Sequence, residues 1–349
     1  MEICGFSSLD HLHELDVYTH SLEMLRRLLL DEDTHGILVD VGMPIMHQDL
    51  RYNCRVICLD GKILLIRPKM TLTNDGNYRE TRHFARWTRP KETELFHLPD
   101  TFAKVQGQTQ VPFGDAVIST LDTTFGACEE LATHLLDGAE IINSSSCSYF
   151  TLQKLGTRLQ LMREASPKSG GIYLSANQQG CDGERVYFDG GAMIIANGDV
   201  LAQGSQFSLN DVEVVTATVN LEDVRSYRTS LSHGRPASTV QYPRIQTPFA
   251  LKLNDRLGGT MAPTLPIQLR LYSVEEEIAF CGGCYLWDVS KPLAAVQSIS
   301  LTLGSQYLRR SGSVGYLVCL SGGIDSCSAV GTSKPLFRVV PEPMLTTSF

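Results

Sequence analysis

The sequence predicts an α/β fold of two sheets covered by helices, and three observations predict it. Apolar strands alternate with amphipathic helical stretches along most of the chain. Two strand pairs flank two-residue turn signals, Asp60-Gly61 and Asn197-Gly198. A glycine-containing turn near position 128 joins a strand to an acidic, helix-prone segment.

Taken in order, Leu22, Leu25, Leu28 and Leu29 repeat at helical spacing, and Ile37-Leu38-Val39-Asp40-Val41 follows as a buried strand. Residues 55–59 and 62–66 form a hairpin about Asp60-Gly61, whose second strand delivers Lys69 to the end of the sheet. Asp122 to Cys128 reads as a strand and elbow, Gly138 can end the next helix in a left-handed conformation, and residues 139–143 form a core strand. Ile172-Tyr173-Leu174 and residues 192–196 are further strands, the second turning at Asn197-Gly198, and Val212 to Asn220 makes one more. Ser232 to Pro266, rich in Pro, Gly, Ser and Thr, reads as a loop leading out of this domain.

The 349 residues, 43% of them hydrophobic, suffice for one large domain or one domain plus a piece of another. A net charge of −8 and the absence of a long basic run argue against a nucleic-acid or membrane-surface partner. No apolar run approaches the roughly 20 residues that span a bilayer. Ten irregularly spaced cysteines, with no signal-like start, point to free thiols in a cytoplasmic protein. Cys281-Gly282-Gly283-Cys284 has no second ligand pair nearby, so no metal site is expected and both cysteines read as ordinary buried thiols.

Chemistry points first to Cys128, in Thr124-Phe125-Gly126-Ala127-Cys128-Glu129-Glu130-Leu131. A thiol at a helix start sits near the positive end of the macrodipole, which favours the reactive thiolate, and Glu129 and Glu130 suit the same turn. The alternative for this window is a buried, inert cysteine at a strand-to-helix turn. Lys69 could bring a cation to the thiolate and then to an oxyanion; the alternative is a solvated surface lysine.

The ordered blocks Asp40-Val41-Gly42-Met43-Pro44, Arg51 to Arg55, Lys62 to Lys69, Asn74 to Glu80, Thr124 to Leu131 and Gly170 to Gln178 resemble the nitrilase superfamily. Within it they are most similar to the glutaminase domain of glutamine-dependent NAD synthetases, from Glu2 to Asp288. The resemblance implies a nitrilase-like four-layer α-β-β-α sandwich, Cys128 as nucleophile, Lys69 as stabiliser of the tetrahedral intermediate, and Tyr78, Glu129 and Ser148 as substrate-binding residues.

Three departures from that family stand out. The family's general-base Glu would precede Met1, and Glu2 matches a neighbouring Glu that is not the base; glutamine hydrolysis by the chain as given is therefore expected to be impaired. The link between Cys128 and the strand at 139–143 is shorter than the family's. Ser146-Cys147-Ser148-Tyr149-Phe150 stands where the family has Ser-Gly-Ser and two histidines.

Near the end, a strand at 315–320 runs into Ser321-Gly322-Gly323-Ile324-Asp325-Ser326. Small residues between strand and helix free backbone N–H groups for phosphate, and the motif resembles the pyrophosphate loop of N-type ATP pyrophosphatases. The alternative is a tight Gly-Gly turn. The expected organisation is 1–230 glutaminase domain, 231–288 linker and connecting helix, 289–306 a non-family insertion, 307–330 the start of an α/β nucleotide-binding domain, and 331–349 an irregular tail. The resemblance implies glutamine, deamido-NAD and ATP as substrates, magnesium with the ATP, no cofactor in the glutaminase domain, and a homo-oligomer. A competing expectation is a catalytically inactive, truncated copy that serves only as an oligomerising or interaction protein. A free-standing amidase would have no use for the pyrophosphate loop.

Overall fold

The computed structural model describes residues 1–102, 107–127, 134–135, 137–181, 186–210, 212–231, 241–251 and 262–290. Cys128, Glu129 and Ser321 to Ser326 lie outside these residues, as do the segments expected at 307–330 and 331–349 and nearly all of 289–306.

Five strands form one sheet in the order β1-β2-β3-β5-β4: β1 (Leu38–His47), β2 (Leu50–Leu59), β3 (Lys62–Pro68), β4 (Thr93–His97) and β5 (Gln110–Gly114). A second sheet runs β13-β12-β9-β8-β7-β6-β14. Its members are β6 (Val117–Ser119), β7 (Thr124–Ala127), β8 (Ile141–Ser146), β9 (Ile172–Asn177), β12 (Met193–Ala196), β13 (Asp199–Gln203) and β14 (Arg244–Gln246). A short ribbon, β10 (Gln179–Cys181) with β11 (Tyr187–Asp189), stands beside it.

Burial defines four layers. On the outer face of the first sheet, Met43, Cys54, Val56, Cys58 and Ile66 pack with Leu25 and Leu29 of α1 (Leu15–Leu29). Between the sheets, Ile57 and Leu65 meet Ala116, Ile118, Phe125 and Ala127. Beyond the second sheet, Ile142, Tyr173, Met193 and Ile195 pack with Leu155, Leu159 and Met162 of α3 (Lys154–Ser169). The α-β-β-α order expected of the sequence is the order observed. Two shorter helices, α2 (Glu80–His83) and α4 (Leu221–Ser230), and α5 (Val274–Ser290) complete the set.

A β-bulge sets the phase of β3. Ile57 pairs with Leu65 but Cys58 pairs with Ile63, so Leu64 is an extra residue. Because side chains alternate with period two, one extra residue exchanges the faces of everything after it. Ile63 and Ile66 thereby both face α1, while Leu65 faces the second sheet and Arg67 and Lys69 follow with the same parity. The hairpin before it is as the sequence reads: Asp60 and Gly61 both take positive φ, +46° and +74°, as the tight turn requires.

Two expectations are corrected. Val212 to Asn220 is not a strand. Among the described residues it pairs with no strand; Thr218 exchanges bonds with Thr264, and Val212 and Val214 are exposed. Nor does the 232–266 segment simply lead away, since β14 within it returns to pair in parallel with β6 through Arg244↔Val117 and Gln246↔Ser119. Composition marks such a segment as irregular, but a three-residue parallel strand depends on a distant partner.

The chain passes between the sheets from β5 to β6 at Gly114-Asp115-Ala116. Gly114 has φ +142°, and a Cβ there would lie 2.2 Å from the carbonyl oxygen of Glu92. Gly114→Ala should cost about 3 kcal/mol, combining backbone strain with a backbone clash. Urea denaturation monitored by circular dichroism would measure it.

Candidate active site

Lys69 follows the last residue of β3 and is fixed by its backbone: its N–H donates to Asn53 O at 2.8 Å, and its carbonyl accepts from Trp87 N at 2.9 Å. Its ammonium donates to both oxygens of Glu80, at 3.0 and 2.7 Å. Glu80 opens α2 with only 3% of its side chain exposed, and also accepts from the Thr73 amide at 2.6 Å and Asn53 Nδ2 at 3.3 Å. A buried carboxylate needs such donors, and they fix it against the lysine. Lys69 is not the solvated surface residue of the alternative reading. Glu80 is a site residue that sequence reasoning passed over, although it ends the Asn74 to Glu80 block; nothing local marks a glutamate as buried.

The pair lies in a cavity of about 580 Å³ between the two sheets' ends. Arg67 and Asn53 line it from the first sheet, and Asn143 to Tyr149 from β8 and the turn after it. Ala127, the residue before Cys128, pairs with Asn143, so β7 runs directly beside a strand that lines the cavity.

Tyr78 and Ser148 are both in the wall. The Tyr78 hydroxyl donates to Cys147 O at 2.6 Å and accepts from Tyr149 N at 2.9 Å, so it ties the 71–79 loop to the wall. Burial pushes its phenol up to about 12. Ser148 is held by its backbone, its N–H donating to Asn177 Oδ1 at 2.8 Å and its carbonyl accepting from Asn177 Nδ2 at 3.0 Å. Tyr149, one of the departures, stacks obliquely on Tyr78 with centroids 4.9 Å apart, whereas Phe150 packs outward with Phe207.

Beneath the cavity a fully buried group joins the sheets. Arg67 Nη2 donates to Asp115 Oδ1 at 2.9 Å, Lys91 N donates to Asp115 Oδ2 at 2.8 Å, and His134 Nε2 lies 3.7 Å from Asp115 Oδ1. Burial would raise the Asp115 carboxyl, but His134, Arg67 and the Lys91 amide outweigh it and hold it at about 2. Burial lowers His134 below its ordinary value despite Asp115 beside it. The unfolded chain therefore takes up the His134 proton first, and this part of the stability, present above about pH 6.5, is lost as pH falls through the depressed folded value. His83 has the same sign. Denaturant midpoints should fall between pH 7.5 and 5.5, and His134→Gln should flatten that dependence while lowering stability at pH 7.5.

Glu2 bonds Arg55 and accepts from Gly42 N at 2.6 Å. Asp10, His13 and His83 bring ligand atoms within 4.8 Å of one another, but Arg82 holds Asp10 at 2.9 Å and Arg51 bonds the His13 ring. A cation would have to displace both arginines. Cys281 and Cys284 lie one turn apart in α5 and pack with Tyr187 and Phe207; Cys284 is buried and Cys281 half-buried. Burial raises the thiols of Cys54 and Cys58 well above the usual range and that of Cys281 to about 11. At pH 7 a substoichiometric dose of iodoacetamide should therefore modify Cys128 first, which peptide mass spectrometry would read out.

Comparison with known proteins accords with this geometry. Residues 1–229 match the carbon-nitrogen hydrolase family. The chain is 47% identical to the glutamine-dependent NAD(+) synthetase of Saccharomyces cerevisiae over 98% of its own length and 47% of the relative's. It is 48% identical to the Homo sapiens protein of the same name, over 94% of this chain and 45% of that one. It thus spans about half the length of the curated relatives it matches. Among solved structures, a glutamine-dependent NAD(+) synthetase from Cytophaga hutchinsonii superposes with a TM-score of 0.54 at 25% identity, covering 65% of this chain and 38% of the other. One from Acinetobacter baumannii, in complex with adenosine diphosphate, gives 0.57 at 18% identity, covering 94% and 48%, and supports the fold alone. The chain belongs to the carbon-nitrogen hydrolase family.

Proposed function

We propose that the chain is the glutaminase portion of a glutamine-dependent NAD synthetase. The observation that carries this is the buried Lys69-Glu80 pair in a cavity beside the strand that leads into Cys128. The Cys128 thiolate attacks the carbonyl carbon of the glutamine side-chain amide. A C–S bond forms and the carbonyl electrons move onto oxygen, where the Lys69 ammonium stabilises them. Collapse breaks the C–N bond as the nitrogen takes up the proton that the Cys128 thiol gave up, and ammonia leaves a γ-glutamyl thioester. Water then hydrolyses the thioester to glutamate and restores the thiol. Glu80 keeps Lys69 aimed throughout, and the wall from Ser146 to Ser148, with Tyr78 and Glu129, receives the rest of the substrate.

On the same proposal residues 1–230 are the glutaminase domain, 231–288 the connection, 289–306 an insertion, 307–330 the start of the synthetase domain and 331–349 a tail. Ser321 to Ser326 would hold pyrophosphate when ATP, with magnesium, activates deamido-NAD for ammonia to complete NAD. A cytoplasmic homo-oligomer fits this role. Among the described residues no helix is long and apolar enough to cross a membrane.

Ammonia release from glutamine, assayed with a coupled dehydrogenase, tests the proposal. Cys128→Ser should abolish release. Lys69→Met should lower it by about 10²- to 10³-fold, the typical loss on removing one oxyanion stabiliser. Combining it with Glu80→Gln avoids leaving a buried charge unpaired. Release is expected to be slow because the general-base Glu is missing from the chain as given, so the overturning result is wild-type protein that forms no glutamyl adduct on Cys128 even on prolonged incubation with glutamine.

A further inference from the structure

Behind the Ser146–Ser148 wall a line of buried and half-buried polar side chains leads to helix α5. Asn177 holds the wall: besides its two bonds to the Ser148 backbone, its Oδ1 accepts from Ser146 Oγ at 2.8 Å. Asn177 Nδ2 also donates to Asp189 Oδ1 at 3.2 Å. Asp189, 1% exposed, accepts from Arg158 Nη2 at 2.8 and 3.0 Å and from Gln206 Nε2 at 3.0 Å. Gln206 Nε2 donates in turn to Glu277 Oε1 at 3.3 Å, and Glu277 Oε2 accepts the Gln153 amide at 2.7 Å. Gln153, at φ +61°, is the residue from which α3 starts.

Glu277 is the odd member. It is 3% exposed in the first turn of α5, where the helix dipole favours a carboxylate, and among the described residues its hydrogen bonds come from neutral donors. A desolvated carboxylate is costly at a surface helix unless its donors are fixed, and here both donors belong to the layers that carry the cavity wall. The seat of α5 and the shape of the wall are therefore parts of one network.

We infer that Asp189 and Glu277 are positioning residues for the substrate wall, so that the affinity of the cavity for glutamine depends on how α5 is docked. This rests on the glutaminase assignment above. Neither carboxylate touches the reacting atoms; each acts through Asn177 or Gln153 on residues 146–154.

Protection of Cys128 from alkylation tests it without requiring turnover. With the full chain, the iodoacetamide labelling rate of Cys128 is measured against glutamine concentration for wild type, Glu277→Gln and Gln206→Ala. In both variants the half-protecting glutamine concentration should rise about tenfold, as for one charge-assisted hydrogen bond lost, with the rate in the absence of glutamine unchanged. Cys54 and Cys58 are buried in the core, so their continued resistance to labelling certifies that each variant is folded. A folded variant of either kind protected at the wild-type concentration would overturn the inference while leaving the glutaminase assignment standing. Wild-type Cys128 that glutamine does not protect would overturn both.

Discussion

The ion pair between Lys69 and Glu80 is the constraint on which the rest of the site depends. Two charges removed from water are tolerable only when each has fixed partners, because desolvation costs several kcal/mol per ion and breaking such a pair costs about 3–5 kcal/mol. Among the described residues, backbone and side-chain amides help to meet that condition. Thr73 supplies an amide to Glu80, and Asn53 supplies a side-chain amide to Glu80 and a carbonyl to the Lys69 backbone. The pair is thus held by β2, by the end of β3 and by the loop between β3 and α2, and any of these moving would expose an unpaired charge.

The phase of β3 makes this possible. Without Leu64 as the extra residue, Lys69 would stand on the α1 side of the first sheet, in a layer filled by Cys54, Val56 and Ile66. A lysine there would be desolvated with nothing to pair it. Arg67 depends on the same offset, and through Asp115 it reaches the crossover that carries the chain into the second sheet. One irregularity in one hairpin therefore sets both the site and the buried charges beneath it.

This explains what could be read from the sequence. The turns at Asp60-Gly61 and Asn197-Gly198 were legible because their chemistry is local: both central residues need positive φ, and these residue types supply it. The strands and helices were legible because apolar periodicity reports burial directly, and the four-layer order came from the family resemblance. Glu80 was not, since a glutamate in a polar loop looks the same whether it faces water or a lysine. Residues 212–220 were misread because alternation signals a strand only where a sheet edge waits to receive it, and β14 was missed for the converse reason. Local pattern carried the elements; the partners came from contacts across the sheets.

The tie between Tyr78 and the wall bears on how a substrate gets in and out. The hydroxyl of Tyr78 bridges backbone groups of Cys147 and Tyr149 in the opposite loop, and the Asn77 amide donates back to Tyr149 Oη at 3.3 Å. Two loops joined by reciprocal bonds and a ring contact cannot swing separately without breaking all of them. The mouth of the cavity should therefore open as a single hinged body or stay shut, so that passage times through it would be governed by one concerted step rather than by two independent flickering loops.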